Sequence, residues 1–309
     1  MKPAQSIPKH LRYTLQTFTQ QFPDNNACLE WLKEQRAPGG VTFCEKCQKE
    51  RKHYRVTGRP AYACDHCGSM ISPMAGTIFE KSSTSLHSWF YAMYLMSATR
   101  CGISAKQIQR ETGVTYKTAW RMFKQIRTLM SEDVSLEGEA VEMDETYVGG
   151  KIRAGRGAGN GTGRKVIGPK AKTCVVGMVE RTGQGRVRAM VANDATKATL
   201  HGIAKEHILP DSIIYTDEWP SYHGLEKING YQHRRVNHSA GVYVIGTTHT
   251  NTIEGFWSLL KRGIGGVYHQ VSRKYLQSYC NEYSFRYNRR NSDVPMFTSL
   301  LERVSEQAN

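Results

Sequence analysis

The stretch Glu139–Gly150, EAVEMDETYVGG, decides the reading of this chain. Val141, Met143 and the residues around them suit a buried strand, and Asp144-Glu145 fall at or near its end. A carboxylate pair beside apolar residues is costly to bury unless it meets cations or a metal ion. A plain ion pair between Asp144 and an arginine is the simpler alternative.

Downstream, Thr173–Val179 and Arg186–Ala192 read as two strands joined by a Thr-Gly-Gln-Gly turn. Ala195–His207 is expected to be a helix. Ser212–Thr216 is a short apolar strand that runs into Asp217. EWPSYHGL after it turns into a helix with Pro220 at its start, and Tyr231–Val236 is a further strand. The order from residue 139 is strand, hairpin, helix, strand, helix, strand, helix, which is an α/β domain.

The segment HTNTIEGFWSLLK, residues 249–261, reads as a helix start. Thr250 or Asn251 can cap it, and Ile253, Phe256, Trp257 and Leu260 give one apolar face. Glu254, Ser258 and Lys261 fall on another face, with Lys261 two turns below Glu254. The carboxylates Asp144, Asp217 and Glu254 can therefore converge, two at strand ends and one on a helix. Hard carboxylate oxygens select Mg²⁺ or Mn²⁺, and two such ions serve an in-line phosphodiester displacement. Asp194 is the main rival for a place in the triad, with Glu145 and Glu218 adjacent. Asn251, three residues before Glu254, could share its role. A last helix is expected over Ser272–Tyr287.

Upstream, Cys44-x-x-Cys47 is followed after sixteen residues by Cys64-x-x-Cys67. Two such knuckles hold one structural Zn²⁺ through four thiolates. Basic residues from Lys46 to Arg59, among them Arg51 and His53, surround it. Ser85 precedes an apolar segment, Leu86–Met96. Over residues 100–130, Ser104 caps a first helix, Gly113 makes a turn and Thr115 caps a second helix, in the manner of a helix-turn-helix. Tyr116, Lys117, Arg121 and Lys124 are its outward positions, suited to a DNA groove.

The chain has 309 residues, with 42 Lys plus Arg against 27 Asp plus Glu, a formal charge of +15. Such a surplus points to a polyanion, here nucleic acid. No apolar run reaches the length of a membrane span and no signal-peptide core is evident, so a reducing cytosolic setting is expected. Residues 149–172 carry Lys151, Arg153, Arg156, Arg164, Lys165, Lys170 and Lys172 and no acid, a loop composition suited to phosphate. Arg262 is a further candidate DNA contact.

MDETYVGGK, IIYTDEW, HTNTIEGFWSLLKRG and EYSFRYNRR, in that order, resemble the acidic-triad insertion-sequence transposases of the ISXO-like group. The cysteine module resembles the zinc ribbon that often precedes their catalytic domain. The resemblance implies a ribonuclease-H-like fold holding two divalent ions, with Asp144, Asp217 and Glu254 as ligands and Lys261 seven residues beyond the glutamate. It places Asn251 as an alternative third ligand.

The expected organisation is a helical lead-in (1–40), a zinc ribbon (41–72), a helix-turn-helix region (73–132), a ribonuclease-H-like catalytic domain (133–292) and a C-terminal tail (293–309). The expected activity is strand cleavage and strand transfer at terminal inverted repeats in double-stranded DNA, by a homodimer or larger homo-oligomer of the bacterial cytoplasm and nucleoid. A DNA-binding regulator derived from such an enzyme, or a nuclease or resolvase, are the alternatives.

Overall fold

Local caps start most helices of the chain, whose computed structural model describes residues 12–99, 101–149, 172–236 and 250–306. The chain divides into two compact units. One comprises residues 1–129 and 292–309, the other residues 130–291.

In the first unit, Thr14, Asp24 and Ser85 open α1 (Leu15–Gln21), α2 (Asn25–Arg36) and α3 (Leu86–Ala98) by accepting backbone N–H bonds. Between α2 and α3 lies an antiparallel sheet of β1 (Val41–Cys44), β2 (Lys49–Arg55), β3 (Tyr62–Cys64) and β4 (Met70–Ile71), in that order. The Cys44–Cys47 turn follows β1 and the Cys64–Cys67 turn follows β3. His53 is buried rather than part of the basic rim expected from the sequence, and its Nδ1 lies 3.0 Å from the Arg51 carbonyl.

Ser104 and Thr115 cap α4 (Ala105–Thr112) and α5 (Tyr116–Thr128), and Gly113 ends α4 in the left-handed conformation at φ 70°. Residues 293–309, read from sequence as a tail, contain instead a helix, α9 (Met296–Glu306). Its Phe297 ring meets Tyr13, Phe18, Phe22 and Tyr94. The segment's apolar face belongs to a core built more than two hundred residues earlier.

The second unit is a mixed α/β domain. Its sheet takes the order β7-β6-β5-β8-β9, from β5 (Ala140–Val148), β6 (Thr173–Glu180), β7 (Val187–Ala192), β8 (Ile213–Thr216) and β9 (Gln232–Arg235). The first three pair antiparallel, while β8 lies parallel to β5 and β9 parallel to β8.

Alternation along the strands sends side chains to two cores. Val141, Met143, Val176, Met178 and Ile214 pack with Leu200 and Ala204 of α6 (Lys197–His207) on one side. Val175, Val179 and Val187 pack on the other with α7 (Asn251–Gly263) and α8 (Arg273–Asn288). The helix expected after Asp217 is reduced to two short 3₁₀ turns, Pro220–Tyr222 and Leu225–Lys227, split by Gly224 in the left-handed region. Among the described residues, no helix is long and apolar enough to cross a membrane.

Candidate active site and metal centres

Strand β5 positions Asp144, and the parallel register positions Asp217. Ala140, Val141 and Glu142 face Ile213, Ile214 and Tyr215, where the ladder ends; Asp217, two residues past Tyr215, is near enough for its charge to raise the Asp144 pKa. Asp217 Oδ1 accepts from the Trp219 amide at 2.9 Å, which fixes the turn leaving β8. The Thr216 hydroxyl donates to the Asp217 carbonyl at 2.7 Å and lies 2.9 Å from His233 Nε2.

On β6, Gly177 stands directly opposite Asp144. A Cβ there would lie 2.5 Å from the Trp257 ring and 2.9 Å from Ile253 Cδ1. The glycine thus lets α7 approach the sheet closely enough for the Trp257 indole N–H to donate to Asp144 Oδ2 at 2.8 Å. Burial pushes the Asp144 pKa up from 3.8 to about 7; the Trp257 bond opposes the rise, and the Glu145 and Asp217 carboxylates add to it. Asp144 stands in the middle of β5, which runs on to Val148, rather than at or near its end as the sequence suggested; with Asp217, just past the end of β8, it forms a hard-oxygen donor pair that fits Mg²⁺ or Mn²⁺.

Glu254 lies on the solvent side of α7, one helical turn before Trp257. The Thr250 hydroxyl donates to its Oε1 at 3.1 Å. Asn251, Ser258 and Lys261 are exposed as well, and exposed Arg262 donates through Nε to the Ser258 carbonyl at 3.2 Å. Asp144 and Asp217 are thus brought together, and Glu254 rides on the helix seated against Asp144.

The three carboxylates do not form a closed set, however. Among the described residues, Cys44, Cys47, Cys64 and Cys67 are the one group of three or more Cys, His, Asp or Glu side chains whose ligand atoms all lie within 4.8 Å of one another. The Cys44–Cys67 and Cys47–Cys64 sulfurs are 3.5 and 3.9 Å apart. Four thiolates at ~2.3 Å from one tetrahedral ion stand about 3.8 Å from each other, so the cluster fits zinc and leaves no open position.

Two of the rival acids, Asp194 and Glu145, are engaged by other groups. Asp194 Oδ1 accepts from the Thr196 amide and from the Thr196 and Thr199 hydroxyls at 3.1, 2.8 and 2.6 Å, which fastens the start of α6. Glu145 alternates to the other face of β5, where its Oε2 accepts from Tyr222 at 2.6 Å. Two residues that the sequence did not single out belong to the site. Trp257 reads from its spacing as core alone, yet it orients Asp144. Glu142 is fully buried and accepts from the backbone of α7.

In the first unit, Tyr116, Lys117, Arg121 and Lys124 are all exposed along α5. Lys151, Arg153, Arg156, Arg164 and Lys165 lie outside the described residues.

A profile of the ISXO2-like transposase domain matches residues 135–288, and a profile of a transposase zinc-ribbon domain matches residues 23–70. The chain is 29% identical over 276 residues to an uncharacterized protein in transposable element ISH50 of Halobacterium salinarum, covering 86% of this chain and 91% of that protein. It is 30% identical over 119 residues to an uncharacterized transposase-like protein of Haemophilus influenzae, covering 38% of this chain and 93% of that protein.

Proposed function

The chain belongs to the ISXO2-like transposase family, and on that premise we propose that it cuts the ends of an insertion sequence and joins them to target DNA with divalent metal ions. The observation that carries the reading is the adjacency of Asp144 and Asp217 beneath the helix that bears Glu254. A sheet whose first three strands are antiparallel and whose other two run parallel to the first supports a ribonuclease-H-like catalytic domain.

Asp144, Asp217 and Glu254, with Asn251 as the alternative third ligand, would hold two Mg²⁺ or Mn²⁺ ions. When bound, those ions supply activation of the attacking oxygen and charge stabilisation of the leaving one. The Trp257 indole N–H holds the Asp144 carboxylate through Oδ2. Lys261 and Arg262, on the exposed stretch of α7, neutralise phosphates on the approaching strand. In the first step a water oxygen attacks phosphorus, the P–O3′ bond breaks, and a 3′-hydroxyl leaves with a proton. In the second, that hydroxyl attacks a target phosphodiester and displaces its 3′ oxygen.

The zinc ribbon, with one structural Zn²⁺ in its four cysteines, and the α4–α5 pair read the terminal inverted repeats in double-stranded DNA. Tyr116, Lys117, Arg121 and Lys124 face the groove and the phosphates. The positive charge of Lys151, Arg153, Arg156, Arg164 and Lys165 adds to the attraction for DNA. Two ends must be joined, which calls for a homodimer or larger assembly in the bacterial cytoplasm, on the nucleoid.

The test is cleavage of end DNA in Mg²⁺ by the wild type and by Asp217→Ala. Cleavage is expected to fall by about 10²- to 10³-fold in the variant, the scale of losing an electrostatic element of a transition state. Equal cleavage by both proteins removes Asp217 from the site. Binding without cleavage by the wild type would make the chain a regulator, and cleavage without joining would make it a nuclease.

A further inference from the structure

Helix α7 begins without help from its own N-cap side chain. Thr250 makes no cap bond, its hydroxyl being turned to Glu254. The first-turn amides of a helix need acceptors, and here a different strand provides one. Glu142 Oε2 accepts from the Thr252 and Ile253 amides, both at 2.9 Å. Its Oε1 accepts from the Thr252 hydroxyl at 2.9 Å and from Arg181 Nε at 2.7 Å.

Glu142 has no solvent exposure. A carboxylate so placed is tolerable only where charge and hydrogen bonds replace its water. The positive end of α7 and the Arg181 guanidinium do so together. Arg181 is itself held, its guanidinium 3.7 Å from the Tyr215 ring centroid and its amide bonded to the Ala140 carbonyl at 2.9 Å.

Two residues further along the same face of β5, Asp144 takes the Trp257 N–H. Two strand residues span about 6.7 Å, and the four helix residues from Ile253 to Trp257 rise about 6 Å. Strand and helix are thus pinned at two matched points. One pin would let the helix pivot; two fix its height and its rotation. Glu254 lies between the pins, so its Cα has one place to be and only its side-chain torsions remain free.

We propose that Glu142 is a positioning residue, which sets the height and rotation of α7 and thereby presents Glu254 to the ions held by Asp144 and Asp217. The inference rests on the reading of those three carboxylates as ion ligands. It assigns Glu142 no contact with ion or DNA.

The experiment measures Mn²⁺ binding by paramagnetic resonance of the free ion, on the full zinc-loaded chain, together with thermal melting. Glu142→Gln, folded and still binding end DNA, is expected to bind Mn²⁺ about tenfold more weakly, the scale of losing a supporting group behind a metal ligand. Thr252→Ala removes only the hydroxyl bond and is expected to weaken Mn²⁺ binding about threefold, as one neutral hydrogen bond allows.

A lower melting temperature with unchanged Mn²⁺ affinity in Glu142→Gln would make Glu142 a structural cap and overturn the proposal. Should Glu142→Gln not fold, wild-type Mn²⁺ affinity in Thr252→Ala overturns it instead. Asp144→Asn separates the two levels. If it binds Mn²⁺ as the wild type does, the ion site itself is misassigned and both readings fall. If Asp144→Asn loses binding and Glu142→Gln keeps it, the positioning role alone falls.

Discussion

Asp144 shows how one side chain can be a cost to the fold and an asset to the site. Its pKa in the folded chain is about 7, against an ordinary 3.8. The folded state therefore binds the Asp144 proton more tightly than the unfolded state does. Between about pH 4 and pH 7 the folded chain carries more protons, so this residue's contribution to stability falls as pH rises, and the full penalty stands above pH 7. Asp144→Asn keeps an oxygen for the Trp257 N–H and cannot ionise. Without added divalent ion it is expected to melt higher than the wild type by at least about 3 °C at pH 8, with the gap closing towards pH 4. Added Mn²⁺ should reverse the order, because an ion that binds only the folded carboxylate stabilises it. Calorimetric melts across that pH range check both; a gap that does not depend on pH would mean that Asp144 is not the strained group. Asp144 and Asp217 were legible as site candidates because each ends a short apolar run. Glu142 was not: it is one of several acids in EAVEMDE, and the amides it serves lie 110 residues away. No local pattern distinguishes a buried cap from a solvated glutamate on an edge.

At the scale of elements, local chemistry was legible for three of the helices that supply their own caps, while the caps Thr14 and Asp24 of α1 and α2 were not read. Ser85, Ser104 and Thr115 cap the helices their positions announce, and Gly113 closes α4. Reading failed where two elements share the work. Pro220 marks a helix start in EWPSYHGL, but Gly224 and Glu145's claim on Tyr222 leave only 3₁₀ turns. Thr250 marks the start of α7 correctly, yet the cap bonds come from β5. Helix α5 presents its basic residues outward in a row, and its role can be measured by salt. Replacing Lys117 and Arg121 together by Ala is expected to lower the slope of log affinity against log salt by about 1 to 2, nearly one for each phosphate left without its cation. An unchanged slope in binding assays on end DNA would take that face of α5 off the phosphates.

The whole molecule is organised by a connection that composition could not reveal. Residues 130–291 form one compact unit, and the segments before and after it form the other. Phe297 completes the aromatic cluster of Tyr13, Phe18, Phe22 and Tyr94. Pairing of distant apolar segments is invisible to a reading that scores each window separately, so residues 293–309 looked like a tail. A chain ending at residue 291 loses that ring and the helix around it. Large buried aromatics removed from a core cost about 3–5 kcal/mol each, so the first unit of the truncated chain is expected to lose its cooperative melt and its end-DNA binding. A truncated chain that melts and binds like the full one would show α9 to be dispensable. The same connection has a temporal side. During synthesis most of the first unit emerges before the second but lacks α9 until the last helix is made, by which time residues 130–291 are already complete. On the proposed division of labour, a chain stopped early therefore makes no competing repressor, and a copy able to grip an end also carries the unit that cuts it.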